Sequence, residues 1–187
     1  EYFHFFKRFV LATRVSGGIS KAMFDGENPS RFLLGGTNGD FRYFFLPYFN
    51  DPSFKTNYFS TLEMPLRGYT LAGANPGGST HFALSNIEFR FPFVQNINFA
   101  FPFRFQLYYL MGALFWDAGA AWDDPAVFRG IRGEPGSSSF TFDGIKSGIG
   151  GGLRLNLFGA LVIKCDRALR LGSDHVVEDY ISLGAEF

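Results

Sequence analysis

The sequence is poor in several things that commonly carry function. It has one cysteine in 187 residues, Cys165, which excludes a disulfide framework and a cysteine-ligated zinc site. Its three histidines, His4, His81 and His175, are scattered, with no Cys or carboxylate at ligand spacing. No metal and no other cofactor is therefore expected. Charged residues make up only 18%, against about 25% in an ordinary soluble domain. Their signs cancel to zero, which argues against a nucleic-acid partner, because such a surface needs a basic excess. No stretch reaches the roughly 18 apolar residues of a membrane helix. The longest apolar run, Phe105 to Trp116, is bounded by Arg104 and Asp117. A β-strand, however, crosses a bilayer in about 9–11 residues, so a membrane barrel stays open.

Catalytic motifs are missing as well. There is no Gly-x-Ser-x-Gly elbow. The glycines at 148, 150, 151 and 152 are not closed by a Lys-Ser/Thr pair, so they do not read as a phosphate loop. On a strand they make room on a wall or permit curvature. No catalytic residues are assigned and no enzyme activity is expected. The chain opens at Glu1 with neither an initiator Met nor a signal peptide, which reads as a processed chain or a fragment.

What the sequence has in excess is aromatic side chains, 19% of the total, with 26 phenylalanines. Aromatics at that density must be buried in something, which rules out disorder. Their arrangement has a period of two, the signature of strands. From 145 to 157, Ile145, Ser147, Ile149, Gly151, Leu153, Leu155 and Leu157 share one face. Lys146, Gly148, Gly150, Gly152, Arg154 and Asn156 share the other. The next segment places Leu161, Ile163, Cys165 and Leu169 together, with Arg167 the one exception. Val162, Lys164, Asp166 and Arg170 oppose them. Near the end, Ile181, Leu183, Ala185 and Phe187 oppose Tyr180, Ser182, Gly184 and Glu186. Upstream, Ala83, Ser85, Ile87, Phe89 and Phe91 oppose Phe82, Leu84, Asn86, Glu88 and Arg90, the run 2–15 alternates likewise, and the run Phe105–Trp122 alternates less cleanly.

Six strands are predicted, near 2–15, 81–92, 104–122, 144–158, 159–171 and 178–187. Several exceed the mean globular strand of about 5–6 residues. Long strands with one greasy and one small-or-polar face predict an all-β, transmembrane antiparallel β-barrel. The very short turn at Phe158-Gly159 and the long Gly/Pro/Ser-rich connection at 123–143 fit the short turns and long loops of such barrels. A soluble sandwich or lipocalin-like barrel is the alternative. Glycines on the polar face count against it, since a water-facing surface favours charge. Residues 16–80 break the hairpin rhythm. They read as a long extracellular excursion within a single barrel domain, 1–187, and Phe41–Phe49 and Tyr58–Leu66 are its strand candidates.

Four segments in order resemble the C-terminal barrel region of the BamA/TamA outer-membrane assembly family. Leu66-Arg67-Gly68-Tyr69 is similar to that family's Arg-Gly-aromatic loop motif, with Leu66 where Val is frequent. The run from Ala83 to Pro92 is similar to the strand that follows it. Phe115-Trp116-Asp117-Ala118-Gly119 is similar to the next strand's acidic motif. Ile181 to Phe187 is similar to the terminal, aromatic-ended insertion signal.

The resemblance implies the C-terminal portion of a sixteen-stranded barrel in the bacterial outer membrane. It implies an assembly factor that inserts client barrels through a lateral seam. Arg67, Gly68 and Tyr69 would then form a structural lock with Glu88 and Asp117. Tyr180, Ile181, Leu183, Gly184 and Phe187 would belong to the terminal seam strand. The implied partners are outer-membrane lipids and lipopolysaccharide, unfolded β-barrel clients and periplasmic lipoprotein subunits. A polypeptide-secreting pore of the two-partner type shares the same loop, and a barrel anchoring a fused enzyme or propeller domain is the third reading.

Overall fold

The computed structural model describes residues 1–5, 8–24, 29–38, 61–70, 73–75, 77–99, 105–123, 131–133, 140–142, 144–157, 161–172 and 175–184. Eleven strands are present among them: β1 (Tyr2–Phe5), β2 (Phe9–Ile19), β3 (Arg31–Leu34), β4 (Thr61–Met64), β5 (His81–Phe99), β6 (Phe105–Trp122), β7 (Ile131–Gly133), β8 (Phe140–Phe142), β9 (Lys146–Leu157), β10 (Leu161–Leu171) and β11 (Val177–Gly184). Seven of them form one antiparallel sheet in the order β1-β2-β5-β6-β9-β10-β11. The other four make two small pairs. β3 and β4 run parallel inside the excursion, and β7 and β8 form a hairpin inside the 123–143 connection. Among the described residues β1 and β11 are the two edges of the large sheet.

The predicted strand at 2–15 is two strands. Phe5 pairs with Phe9, so the chain reverses between them. The separation is even, so a residue keeps its face across the reversal and the alternation shows no break. That is why a period-two reading runs through it. The predicted 81–92 strand continues to Phe99, with the register shifting between Pro92 and Val94. Proline has no N–H for the ladder, and a shift of pairing accommodates it. β2 runs through Gly17 and Gly18 to Ile19, and the Ser20 N–H donates to the Thr80 carbonyl (2.8 Å). The excursion therefore leaves the sheet between 20 and 80 rather than at 16. Of its two strand candidates, Tyr58–Leu66 contains β4, and Phe41–Phe49 lies outside the described residues.

The two faces of the sheet differ as the alternation requires. On one face Leu114, Trp116, Ile149, Leu153 and Ile181 are exposed. On the other, Phe115, Asp117, Ala168 and Tyr180 are buried. The excursion causes that burial by folding back over the polar face. Phe32, Leu34, Leu66, Tyr69, Ala74, Phe82 and Leu84 form its core, with the Phe32 and Phe82 rings 4.5 Å apart. Burying a Leu or Phe side chain is worth about 1.5–3 kcal/mol, so Leu34 and Leu66, nearly inaccessible, anchor the returning segment. Asn75 fastens it further. Its Oδ1 accepts from the Leu34 N–H (2.6 Å) and its Nδ2 donates to the Phe32 carbonyl (2.8 Å).

Cys165 lies on the apolar face, opposite Leu153 on β9 and Ile181 on β11, and it is exposed. In the intact protein held in a bilayer, a lipid-soluble maleimide is expected to label Cys165 while a membrane-impermeant, charged thiol reagent leaves it unmodified. The reverse labelling pattern would invert the assignment of faces.

Candidate functional site

The segment that follows β4 carries Leu66, Arg67, Gly68 and Tyr69 down onto the polar face, and all four are buried. Strand alternation supplies what they meet. β5 presents Glu88, flanked on the same face by Asn86 and Arg90. β6 presents Asp117, opposite Asn86 on one side and Gly148 on the other. β10 presents Asp166, opposite Gly152 and Tyr180.

Arg67 engages three of these strands at once. Its Nε and Nη2 donate to the two carboxylate oxygens of Asp117 at 2.7 and 3.0 Å, a two-pronged fit of fork to carboxylate. Its Nη1 donates to Glu88 at 2.7 Å and reaches Asp166 at 3.4 Å. Its backbone N–H donates to Asp117 as well, at 3.2 Å. The guanidinium lies 3.5 Å over the Phe115 ring, a favourable cation–π placement. Burial opposes the positive charge. The Asp117 hydrogen bond and charge, followed by the charges of Glu88 and Asp166, outweigh that and raise the pKa of Arg67 above its ordinary value.

Two further arginines complete the cluster. Arg154 on β9 bridges Glu88 (3.1 Å) and Asp166 (3.0 Å, with a second, shorter bond to the other oxygen). Arg90 holds the remaining Glu88 oxygen at 2.8 Å. Three guanidinium groups thus face three carboxylates, and the cluster is neutral. Asp117 is wholly inaccessible to solvent. Taking such charges out of water costs several kcal/mol per ion, roughly what their mutual attraction returns. The cluster therefore contributes one defined position of the loop more than it contributes net stability. The guanidinium groups occupy the carboxylates, and among the described residues no group of His, Cys, Asp and Glu could hold a metal ion.

The glycines of β9 make the space for this arrangement. A Cβ on Gly148 would overlap the Arg67 carbonyl. One on Gly152 would land on the Asp166 carboxylate. Gly68 itself adopts φ +99°, a conformation side chains rarely tolerate. It lies against the backbones of Gly148 and Arg170. Its N–H donates to the Tyr180 hydroxyl (2.8 Å), and that hydroxyl donates to the Tyr69 carbonyl (2.9 Å). Arg170 Nε donates to the Gly68 carbonyl (3.1 Å), and its guanidinium lies 4.3 Å over the Tyr69 ring.

Of the residues singled out from the sequence, Arg67, Gly68, Tyr69, Glu88, Asp117 and Tyr180 are together in this site. Ile181 and Leu183 lie on the opposite, apolar face of β11, and Gly184 ends that strand near Lys164. Phe187 lies outside the described residues. Sequence reasoning missed Asp166, Arg154 and Arg90 as members of the cluster. Their alternation put them on the correct face. Nothing in the sequence stated which rows of the sheet would align, and register decides which charges meet.

A meander of long antiparallel strands, apolar on one face and lined on the other with charge and glycine under an inserted loop, defines the wall of a transmembrane β-barrel. The Omp85 superfamily domain matches residues 1–165, and the chain belongs to that superfamily. A search of curated proteins found no match. Omp85 domains are typical of bacterial outer-membrane proteins and belong to barrels of polypeptide insertion and secretion.

Proposed function

We propose that this chain forms the C-terminal part of a sixteen-stranded barrel that folds and inserts β-barrel clients into the bacterial outer membrane. β11 is the last strand of that barrel in this reading. The observation that carries it is the Omp85 domain match over residues 1–165, together with the descent of Arg67 onto Glu88 and Asp117 of the wall; β11 follows β10 in the sheet. A strand edge exposed when a seam opens is a template for a further strand, and a client strand would add to β11 by β-augmentation. The Arg67 cluster serves as the lock that holds the loop inside the lumen and braces the wall while the edge opens. The partners are unfolded barrel clients, the surrounding lipid with lipopolysaccharide, and periplasmic lipoprotein subunits. No bond is made or broken in the client.

The test is reconstitution of the intact protein into liposomes with a urea-unfolded barrel client. Folding of the client is expected to accelerate at least about tenfold. A cysteine introduced as Leu183→Cys in a Cys165→Ala background is expected to cross-link to the client during insertion. Transfer of a dedicated polypeptide into the vesicle interior, without client insertion, would instead establish the secretion pore.

A further inference from the structure

Loop 66–70 is gripped in two separate ways. The Arg67 side chain is held by β5, β6 and β10 through Glu88, Asp117 and Asp166. The backbone of the next two residues is held by the last hairpin, through Arg170 on β10 and Tyr180 on β11. Tyr180 is 1% exposed, and its ring packs with Phe115 and Ala168. Phe115 is also the ring beneath the Arg67 guanidinium.

The direction of the Tyr180 hydroxyl is informative. A buried tyrosine needs a partner for its O–H, and a neighbouring strand could supply one. This hydroxyl instead accepts from Gly68 N–H and donates to Tyr69 C=O, one bond on each side of the peptide that joins them. Both bonds run from the edge strand to the loop. β11 is also attached through its eight-residue ladder with β10 and through the two-pronged Arg167–Asp179 pair.

We propose that Tyr180 is a positioning residue that links the loop to the edge strand, so that release of 66–70 and displacement of β11 favour one another. When β11 moves, the Gly68 N–H and the Tyr69 carbonyl lose their shared partner inside the wall. When the loop leaves, the hydroxyl of Tyr180 loses both of these bonds. Buried groups stranded in this way are costly, and such coupling acts equally in both directions. The functional meaning rests on the seam reading of β11 above. The coupling itself does not.

Tyr180→Phe keeps the ring and its packing and removes only the hydroxyl. In the intact protein in nanodiscs, amide hydrogen exchange is followed in three regions: 61–70, 177–184 and, as reference, 105–122. The expected result is exchange faster by about tenfold or more in the first two regions, with the third little changed. Gly148→Ala approaches from the loop side, since its Cβ meets the Arg67 carbonyl. It leaves Tyr180 intact and is expected to speed exchange in 177–184. Unchanged exchange of β11 in either variant overturns the coupling, and so does an equal loss of protection in all three regions. Client insertion is scored separately. Altered exchange with unaltered insertion would retain the coupling and overturn the seam reading.

Discussion

Arg67→Glu is expected to destabilise the barrel by about 3–5 kcal/mol, the range for breaking a buried ion pair by removing one partner. Water in the lumen moves the value toward the lower end. The substitution does more than delete a cation. Asp117 loses both arms of the fork, Glu88 and Asp166 keep only Arg154 and Arg90, and a fourth carboxylate enters the same space. The measurement is the folded, fast-migrating band on semi-native gels as temperature rises, with protease sensitivity of the 20–80 excursion alongside. Loss of the heat-resistant band at lower temperature and cleavage of the excursion are expected. Arg67→Lys keeps the charge and loses the fork, so it should fall between wild type and Arg67→Glu. Wild-type heat resistance in Arg67→Glu would remove the lock from the account.

The second large effect comes from a residue without a side chain. Gly148→Leu is expected to expel the loop at a cost comparable to that of Arg67→Glu, although it alters no charged group. Its Cβ would overlap the backbone carbonyl of Arg67, and backbone cannot rotate away as a side chain tip can. Placing Arg67 against Asp117 and filling position 148 are therefore mutually exclusive. Gly184→Ala is the matching control. Its Cβ would meet only Lys164, at an ordinary 3.6 Å, and it should change stability by no more than about 0.5 kcal/mol. Protease cleavage within the excursion should distinguish the two. Equal protection in both would mean that the loop does not need the glycine wall.

Both effects depend on a feature that was partly legible beforehand. Alternation over 145–157 and 161–171 assigned Gly148, Gly152, Arg154 and Asp166 to one face, because strand side chains have a period of two whatever lies beside them. The Arg-Gly-Tyr segment was recognisable by its resemblance to a known loop, as were Glu88 and Asp117 as companions. Asp166 and Arg154 were not, because a charge on the polar face of a strand is unremarkable until its neighbour is known. The Phe5–Phe9 reversal was also invisible, since an even separation leaves the alternation intact.

Tyr180 shows the same limit from the other side. Its place in the terminal strand could be read from sequence, but its hydroxyl's bonds to Gly68 and Tyr69 could not. These residues are more than 110 positions apart, and no local pattern connects them.

The sequence by itself determined where most of the long strands run, which two faces they have, and the low-charge, aromatic-rich composition of a barrel. These follow from local geometry and from the solvent each face must meet. Only the tertiary structure decided which charges meet, how far the loop descends and which strand holds its backbone. Those depend on register between strands and on the return path of a sixty-residue excursion, and both are set by contacts between residues distant in the chain.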